Sequence, residues 1–508
     1  MSGIKKLAGQ TLWYGVPRIT ARFLNFGISL LGFRLFDPNG SYAYTQIYAV
    51  LPFLNILFTY GLETSFFRFA QISDSKKLFN TLNISIFCST ILFTILLFTF
   101  RGPLTAFIEM QEHPEYVTWM IGIVFFDTLY TLPMAKLRLE ERPRKYAFIN
   151  VFAILLNIAI VIFFFYVAKP AHDRGENSLL AILYRPEIGI GYFILANLVA
   201  SALSLLLLYK EFAGFRFEFD SKLWKDIMRY SYPLIIVGFG GMINEMLSRV
   251  IYRKVLHDPP SQEEFELGVF GANYKLAVLI TIFIQVFRLA AEPFFFNQSK
   301  HENAQKVYAR VMKFFVIACC FMFLLVSLFL EAWKFLIASK HPEYAQGINI
   351  VPILSMGSVF LGIYYNLTVW YKLTNKNMIG AWITIGGAII TILLNIILVP
   401  HFRYTGAAWA TFTCYAFMMA VSYTTGQKYY PIPYPRKKLL TYLTICALLY
   451  IIHEVIARNL NPAGAHFHSI YFGSALLFLG GFTLLILRVE KNEIKQIPYV
   501  GRVLYRSA

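Results

Sequence analysis

The chain has 508 residues, of which 57% are hydrophobic and only 15% are charged, and its formal net charge is +18. A typical soluble domain carries roughly 25% charged residues, so this chain has too little polar surface to fold in water. The composition excludes a soluble multidomain protein, a disordered chain and a secreted disulfide scaffold. It indicates an integral membrane protein.

The predicted elements are apolar helices long enough to cross a bilayer, which requires roughly 20 apolar residues each. We predict fourteen of them, in chain order 9–33, 41–66, 79–100, 116–136, 146–168, 188–209, 228–252, 267–294, 308–330, 347–371, 378–400, 405–426, 439–457 and 469–487. Every connection is short, and the longest lie near 169–187 and 210–227. The sequence therefore predicts an all-α polytopic membrane protein whose function lies within the bilayer.

Lysine and arginine residues set the predicted orientation, because cytoplasmic loops carry an excess of them. With fourteen spans both termini lie on one side. Most basic loop residues fall on that same side, including Lys76-Lys77, Arg142 to Lys145, Arg436 to Lys438 and the tail from Arg488. We therefore predict that both termini are cytoplasmic. The net charge then reflects membrane topology and needs no nucleic acid.

An internal repeat divides the predicted spans. Tyr14-Gly-Val-Pro17 opens the first span, and Tyr230-Ser-Tyr-Pro233 opens the seventh. The spans that follow end in Glu63-Thr-Ser-Phe-Phe and Glu292-Pro-Phe-Phe-Phe. The spacing predicts two six-helix lobes, residues 1–215 and 216–428. Two additional spans would occupy 429–487, and a basic cytoplasmic tail 488–508.

Basic residues inside the first and eighth spans predict a cationic site. Ionisable groups at mid-bilayer cost roughly 2.5–3.5 kcal/mol each on insertion scales, so they usually face a cavity or a partner. Arg18 and Arg22 lie one helical turn apart on one face, and Lys275 reaches a similar depth from the other lobe. These three are the candidate substrate-binding residues. The alternative is that the arginines reach the interface, or bind Glu63 or Asp127 structurally.

Acidic residues inside the spans divide into one isolated group and several pairs. Asp127 lies near the middle of the fourth span with no basic residue within reach on its own helix. It is the candidate for binding a coupling ion, or else a structural partner of Arg18 or Arg22. Other charges are spaced i,i+4 and predict neutral intrahelical pairs. The candidates for ion pairs in a cavity or gate are Glu63, Glu245, Arg249, Arg288 and Glu292.

Three segments resemble the polysaccharide flippases of the multidrug/oligosaccharidyl-lipid/polysaccharide (MOP) exporter superfamily. They are Gly9-Gln-Thr-Leu-Trp-Tyr-Gly-Val-Pro17, Tyr60-Gly-Leu-Glu63 and Arg138-Leu-Glu-Glu-Arg142-Pro-Arg-Lys-Tyr146. The resemblance implies a bacterial inner-membrane carrier with two bundles around a central cavity. Such a carrier moves undecaprenyl-pyrophosphate-linked oligosaccharide to the periplasmic leaflet by alternating access, for polysaccharide or lipopolysaccharide biosynthesis. The last two spans would accommodate the lipid tail.

Three other functions stay open at this point. A flippase for the lipid-linked peptidoglycan precursor also has fourteen spans and a cationic cavity. A multidrug exporter of the same superfamily typically has twelve spans and an acidic, aromatic cavity. A membrane glycan polymerase or ligase is disfavoured, because no catalytic or metal-binding cluster is evident. We expect no enzyme activity and no cofactor, and coupling to a proton or sodium gradient. The expected partners are the lipid-linked glycan, membrane lipid and polysaccharide polymerase machinery.

Overall fold

The computed structural model describes residues 20, 22–70, 72–140, 142–176, 178–256, 258–299, 301–374, 376–461 and 466–495. Within one helix, the side chains of residues 289, 290, 292, 293, 296 and 297 lie outside this description. All regular elements among the described residues are helices.

The helices of the first half begin with residues 22–35, labelled α1. The next ones are α2 (Pro38–Thr59), α3 (Leu62–Phe69), α4 (Ser75–Thr99), α5 (Arg101–Phe107), α6 (Pro114–Leu139), α7 (Pro143–Ile162), α8 (Lys169–Asp173), α9 (Leu179–Leu183) and α10 (Gly191–Leu206). A π-helical segment, Phe163–Ala168, joins α7 to α8. Short 3-10 turns lie at Pro186–Ile188 and Tyr209–Phe212.

The second half is also helical throughout its described length. Its helices are α11 (Ser221–Val250), α12 (Tyr252–Val255), α13 (Pro260–Gln298), α14 (Ala304–Ser327), α15 (Leu330–Ala338), α16 (Ile350–Leu367), α17 (Val369–Leu373), α18 (Asn377–Tyr429), α19 (Arg436–Asn459), α20 (Phe467–Val489) and α21 (Lys491–Ile494). A 3-10 turn at Pro342–Gly347 precedes α16.

The length and hydropathy of these helices confirm an all-α, polytopic membrane protein. Among the described residues, 10 helices are long and apolar enough to cross a membrane, and an eleventh is added if Leu179–Ile188 and Gly191–Leu206, bent by 115°, form one span. The described residues of every predicted span lie mostly on helices. The number of fourteen spans stays a prediction.

The longest helix, α18, contains two predicted spans and a sharp break between them. Arg403 has φ 52° and ψ −136°, outside the helical region, and a backbone held in such a sparsely populated region costs of order 1–3 kcal/mol. Its guanidinium Nη1 lies 2.5 Å from a carboxylate oxygen of Glu266 and 3.0 Å from one of Asp258. These ion pairs hold the strained residue in place. The break lies within the predicted connection between the spans 378–400 and 405–426.

A second break separates α2 from α3. Tyr60 and Gly61 have φ values of 33° and 75°, so both adopt the left-handed conformation that ends a helix. The chain then re-enters a helix at Leu62, and Glu63 lies in its first turn. The Tyr60-Gly61-Leu62-Glu63 sequence therefore marks a bend in the second predicted span.

The internal contacts of the chain divide it into two compact units. The first contains the described residues up to Lys275, together with Ile337–Gly347 and Ala381–Cys414. The second contains Leu276–Leu336, Ile348–Gly380 and the described residues from Tyr415 onwards. In the first unit α10 packs on α6 and α7, and in the second α14 packs on α16, α19 and α20. The six-helix lobes predicted from the repeat stay a prediction.

Candidate functional site

A polar pocket of about 470 Å³ lies within the first unit, among residues of α2, α3, α6, α7 and α10. Asp127 is part of its lining, together with Asn55, Tyr130, Thr131 and Ser201. Spanning helices ordinarily present apolar side chains, and polar residues within them usually face a cavity or a partner. The pocket is therefore the candidate functional site of this unit, and we call it the polar pocket.

Asp127 obtains its hydrogen bond from a neighbouring helix. The Ser201 hydroxyl on α10 donates to Asp127 Oδ1 at 2.7 Å. Helices α6 and α10 pack so closely that a Cβ atom at Gly191 would collide with the ring of Tyr116. This packing brings the two side chains together. The carboxylate of Asp127 thus has one hydroxyl donor and no ion pair among the described residues, and Lys136 instead donates to the backbone oxygen of Glu211.

Glu63 lines the same pocket but is neutralised. Its carboxylate forms an ion pair with Arg138 on α6, and the Arg138 guanidinium also lies 4.7 Å above the ring of Phe67. Arg138 belongs to one of the three segments on which the family resemblance rests. The pair joins α3 to α6 at the edge of the pocket.

Two of the three predicted cationic residues are described, and Arg18 lies outside the described residues. Arg22 is on α1, and Arg22 and Arg249 both attract the carboxylate of Glu245. Lys275 is half-buried on α13, with its Nζ atom 5.7 Å from the ring centre of Tyr44. The proposal that these cations bind one substrate group stays a prediction.

Arg249 on α11 and Arg288 on α13, both predicted to form intrahelical ion pairs, each lie against an aromatic ring. The Arg249 guanidinium donates to the backbone oxygen of Glu245 at 3.0 Å and lies 4.2 Å above the ring of Tyr274. Arg288 is exposed and lies 4.6 Å from the ring centre of Tyr365. The side chain of Glu292 lies outside the described residues.

Two buried carboxylates that the sequence analysis did not single out are saturated with partners. Glu490, at the end of α20, accepts hydrogen bonds from Lys313 at 2.5 Å, Lys438 at 2.8 Å and Tyr442 at 2.5 Å. Burial favours the protonated carboxyl, but these donors outweigh it and lower the pKa of Glu490. The partners come from distant parts of the sequence, so spacing along one helix gives no sign of them.

Glu211, after α10, is the second saturated carboxylate. It accepts hydrogen bonds from Lys145 at 2.5 Å and Arg142 at 2.7 Å. Burial raises the pKa of Glu211, but the two cations outweigh burial and lower it. Both clusters have the composition of structural anchors, since every charge in them has an opposite partner.

The described residues contain no group of three or more His, Cys, Asp or Glu side chains that would hold a metal ion. The polar pocket likewise contains oxygen and amide groups but no cysteine or histidine. Binding of polar or ionic ligands is therefore the chemistry that its lining offers.

The first part of the sequence matches a known family. Residues 7–299 match the model of the family described as polysaccharide biosynthesis protein, which is more than half of the chain. The chain belongs to this family. The match includes all helices that line the polar pocket. No curated protein sequence matches the chain significantly.

Solved structures of transporters share the fold. The lipid II flippase MurJ, in an inward closed conformation, aligns with TM-score 0.66 and 13% identity, over 94% of this chain and 98% of MurJ. A multidrug resistance MATE family transporter of the MOP superfamily, inward-facing, aligns with TM-score 0.62 and 13% identity, over 80% of this chain and 94% of its own. The MATE multidrug transporter DinF-BH gives 0.59 and 15%, over 82% and 94%. This member of the polysaccharide biosynthesis family therefore has the fold of the MOP superfamily.

Proposed function

We propose that the protein is a flippase that carries undecaprenyl-pyrophosphate-linked oligosaccharide from the cytoplasmic to the periplasmic leaflet by alternating access. The observation that carries the proposal is the extent of the two kinds of structural match. The MurJ fold extends over 94% of the chain, whereas the MATE folds extend over 80–87%. The additional residues favour a relative of lipid flippases over a multidrug exporter.

A flippase for the lipid-linked peptidoglycan precursor is the second candidate, and the MurJ match favours it. The family match favours a polysaccharide intermediate instead. Both cargoes are a glycan joined through pyrophosphate to a polyprenyl lipid. The two proposals thus require the same kind of site and differ in the sugar.

The pyrophosphate needs positive charge while it crosses the hydrocarbon. Arginine offers permanently charged, planar donors that fit phosphate oxygens. We propose that Arg18, Arg22 and Lys275 hold the pyrophosphate while the polyprenyl chain stays in lipid. Because the pyrophosphate must also be released, its site should be hydrated and should bind it with moderate affinity.

Asp127 is the proposed group for coupling to a proton or sodium gradient. Its carboxylate accepts one hydroxyl hydrogen bond, from Ser201, and so keeps acceptor capacity for an ion. Glu63 in the same pocket is paired with Arg138, which makes it the weaker candidate. Glu245, near Arg22 and Arg249, is proposed to belong to a gate.

The proposed location is the bacterial inner membrane, with both termini cytoplasmic. Single cysteines introduced at Ser75 and Ser261 should react with membrane-impermeant maleimide from opposite sides, with Ser75 on the cytoplasmic side. Reaction from the same side would contradict the proposed orientation.

Complementation of a flippase-null strain tests the cationic site. The double variant Arg18→Ala/Arg22→Ala should block export and leave lipid-linked oligosaccharide in the cytoplasmic leaflet. Lysine at both positions should restore export only in part, because it keeps the charge but loses the two-pronged geometry. The matched control is Arg174→Ala. The Arg174 side chain is 66% exposed, so this variant should export normally. Wild-type export by the double alanine variant, at equal membrane level, would exclude the arginines from the site.

A further inference from the structure

The polar pocket is lined mainly by residues with polar side chains, although spanning helices build it. Apart from Gly61 and Ala153, every residue around it carries a polar side chain. Polar groups removed from water cost free energy unless a partner satisfies them. A lining of this kind inside the bilayer therefore requires water or a polar ligand as its occupant.

The wall of the pocket offers hydrogen-bond acceptors to a ligand. Thr59 and Thr131 donate their hydroxyl hydrogens to carbonyl oxygens of their own helices, those of Asn55 and Asp127. A hydroxyl has one donor and two acceptor lone pairs, so acceptor capacity is what these two groups have left. The side-chain oxygen of Asn55 is buried and accepts no hydrogen bond from the described residues. A ligand that brings hydrogen-bond donors would satisfy these oxygens.

The volume decides between a small cation and a polyhydroxylated molecule. A hard cation binds protein oxygens at roughly 2.0–2.6 Å, which requires a tight cage. The pocket measures about 470 Å³, room for on the order of 15 water molecules of about 30 Å³ each. That size falls within the roughly 300–1,000 Å³ of small-molecule sites. An organic ligand rich in hydroxyl groups fits both the size and the acceptors.

We propose that the polar pocket binds sugar residues of the lipid-linked glycan. Asn55, Thr131 and Asn197 accept hydrogen bonds from sugar hydroxyls, and Tyr130 contributes an aromatic wall. The amide nitrogen of Asn197 donates to the Tyr48 hydroxyl at 3.1 Å, and its side-chain oxygen is the acceptor proposed for the sugar. This inference rests on the proposed function and names the part of the protein that recognises the glycan. Asp127 lies on the same wall, so the coupling ion and the cargo use neighbouring oxygens.

The test compares two cargoes in proteoliposomes containing the full-length protein. One is undecaprenyl diphosphate, and the other carries a short glycan on the same diphosphate, tried with N-acetylhexosamine and hexose at the first position. Asn55→Ala and Thr131→Val should each lower the ratio of glycan-bearing to sugar-free transport about 3- to 10-fold, as expected for one lost hydrogen bond. The matched control is Asn157→Ala, since Asn157 also has a buried, unpartnered side-chain oxygen but lies outside the pocket. It should leave the ratio unchanged.

The outcomes separate this inference from the proposed function. Transport of neither cargo by the wild-type protein would remove the proposed function and this inference with it. Transport of both cargoes, with a ratio that neither pocket variant changes, would overturn the sugar site alone. An unchanged ratio together with a lost dependence on the sodium or proton gradient would assign the pocket to a hydrated cation instead. Thermal unfolding of each variant ensures that folded proteins are compared.

Discussion

Two carboxylates, one in each compact unit, have opposite surroundings. Glu490 in the second unit is 1% exposed and accepts hydrogen bonds from two lysines and a tyrosine. Asp127 in the first unit lines a polar pocket and accepts one hydrogen bond, from Ser201. A saturated carboxylate is committed to holding helices together, whereas one with spare acceptor capacity is available to an ion or a ligand. The number of partners therefore separates the structural acid from the one proposed to be functional.

The largest effect on stability should follow removal of the saturated carboxylate. Glu490→Ala removes the shared partner of Lys313, Lys438 and Tyr442. Breaking a buried pair costs about 3–5 kcal/mol, and we expect about 3 kcal/mol because Glu493 still accepts a hydrogen bond from Lys313. Thermal unfolding in detergent measures the loss. Glu493→Ala is the control, with a smaller loss because its side chain is 35% exposed. Equal stability of Glu490→Ala and the wild type would remove the anchor role.

The second saturated carboxylate should make stability depend on pH. The pKa of Glu211 is lower in the folded protein than in the unfolded chain, so its contribution is complete above the unfolded value near 4.3. It is lost as the pH falls through the folded value. Glu211→Gln should cost roughly 2 kcal/mol at neutral pH, as for hydrogen bonds to charged groups. Unfolding temperatures measured from pH 7 to pH 3 should converge for the variant and the wild type. Parallel curves would contradict the assignment.

Replacement of Asp127, the carboxylate with spare acceptor capacity, should lower stability little and transport strongly. Asparagine at position 127 keeps an acceptor for Ser201, so Asp127→Asn should change the free energy of unfolding by less than about 1 kcal/mol. Gradient-driven transport should fall at least about tenfold, since no carboxylate is left to bind the ion. Transport under separate proton and sodium gradients measures this loss. Undiminished transport under both gradients would remove Asp127 from coupling.

The smallest effect should come from an exposed pair. Arg458 and Glu454 are 2.8 Å apart on α19, and the arginine side chain is 76% exposed. Surface pairs of this kind contribute little because water and salt screen them. Arg458→Gln should leave the unfolding temperature and transport unchanged. A marked loss in either would show that ion pairs on this helix matter more than their exposure indicates.

The sequence predicted the helical fold because apolar run length is a local property. It also predicted the connection near Arg403. The partners of the intramembrane charges were harder to predict, since spacing along one helix indicates only intrahelical pairs. Ser201 lies 74 residues from Asp127, and Lys313 lies 177 residues from Glu490. Charge within the spans also gave no sign of the uncharged pocket residues, such as Asn55 and Thr131. An asparagine within an apolar span was the available signal.

The function proposed for this protein is to move a pyrophosphate-linked lipid across the bilayer. The most direct test reconstitutes the purified wild-type chain in liposomes that contain undecaprenyl-diphosphate-linked glycan in both leaflets. A membrane-impermeant enzyme that modifies the glycan then reports the exposed fraction over time. We predict that the inner-leaflet pool becomes accessible, and faster under an imposed proton or sodium gradient. The proposed function would be contradicted if the inner-leaflet pool became no more accessible than in protein-free liposomes while the same preparation exported cationic drugs.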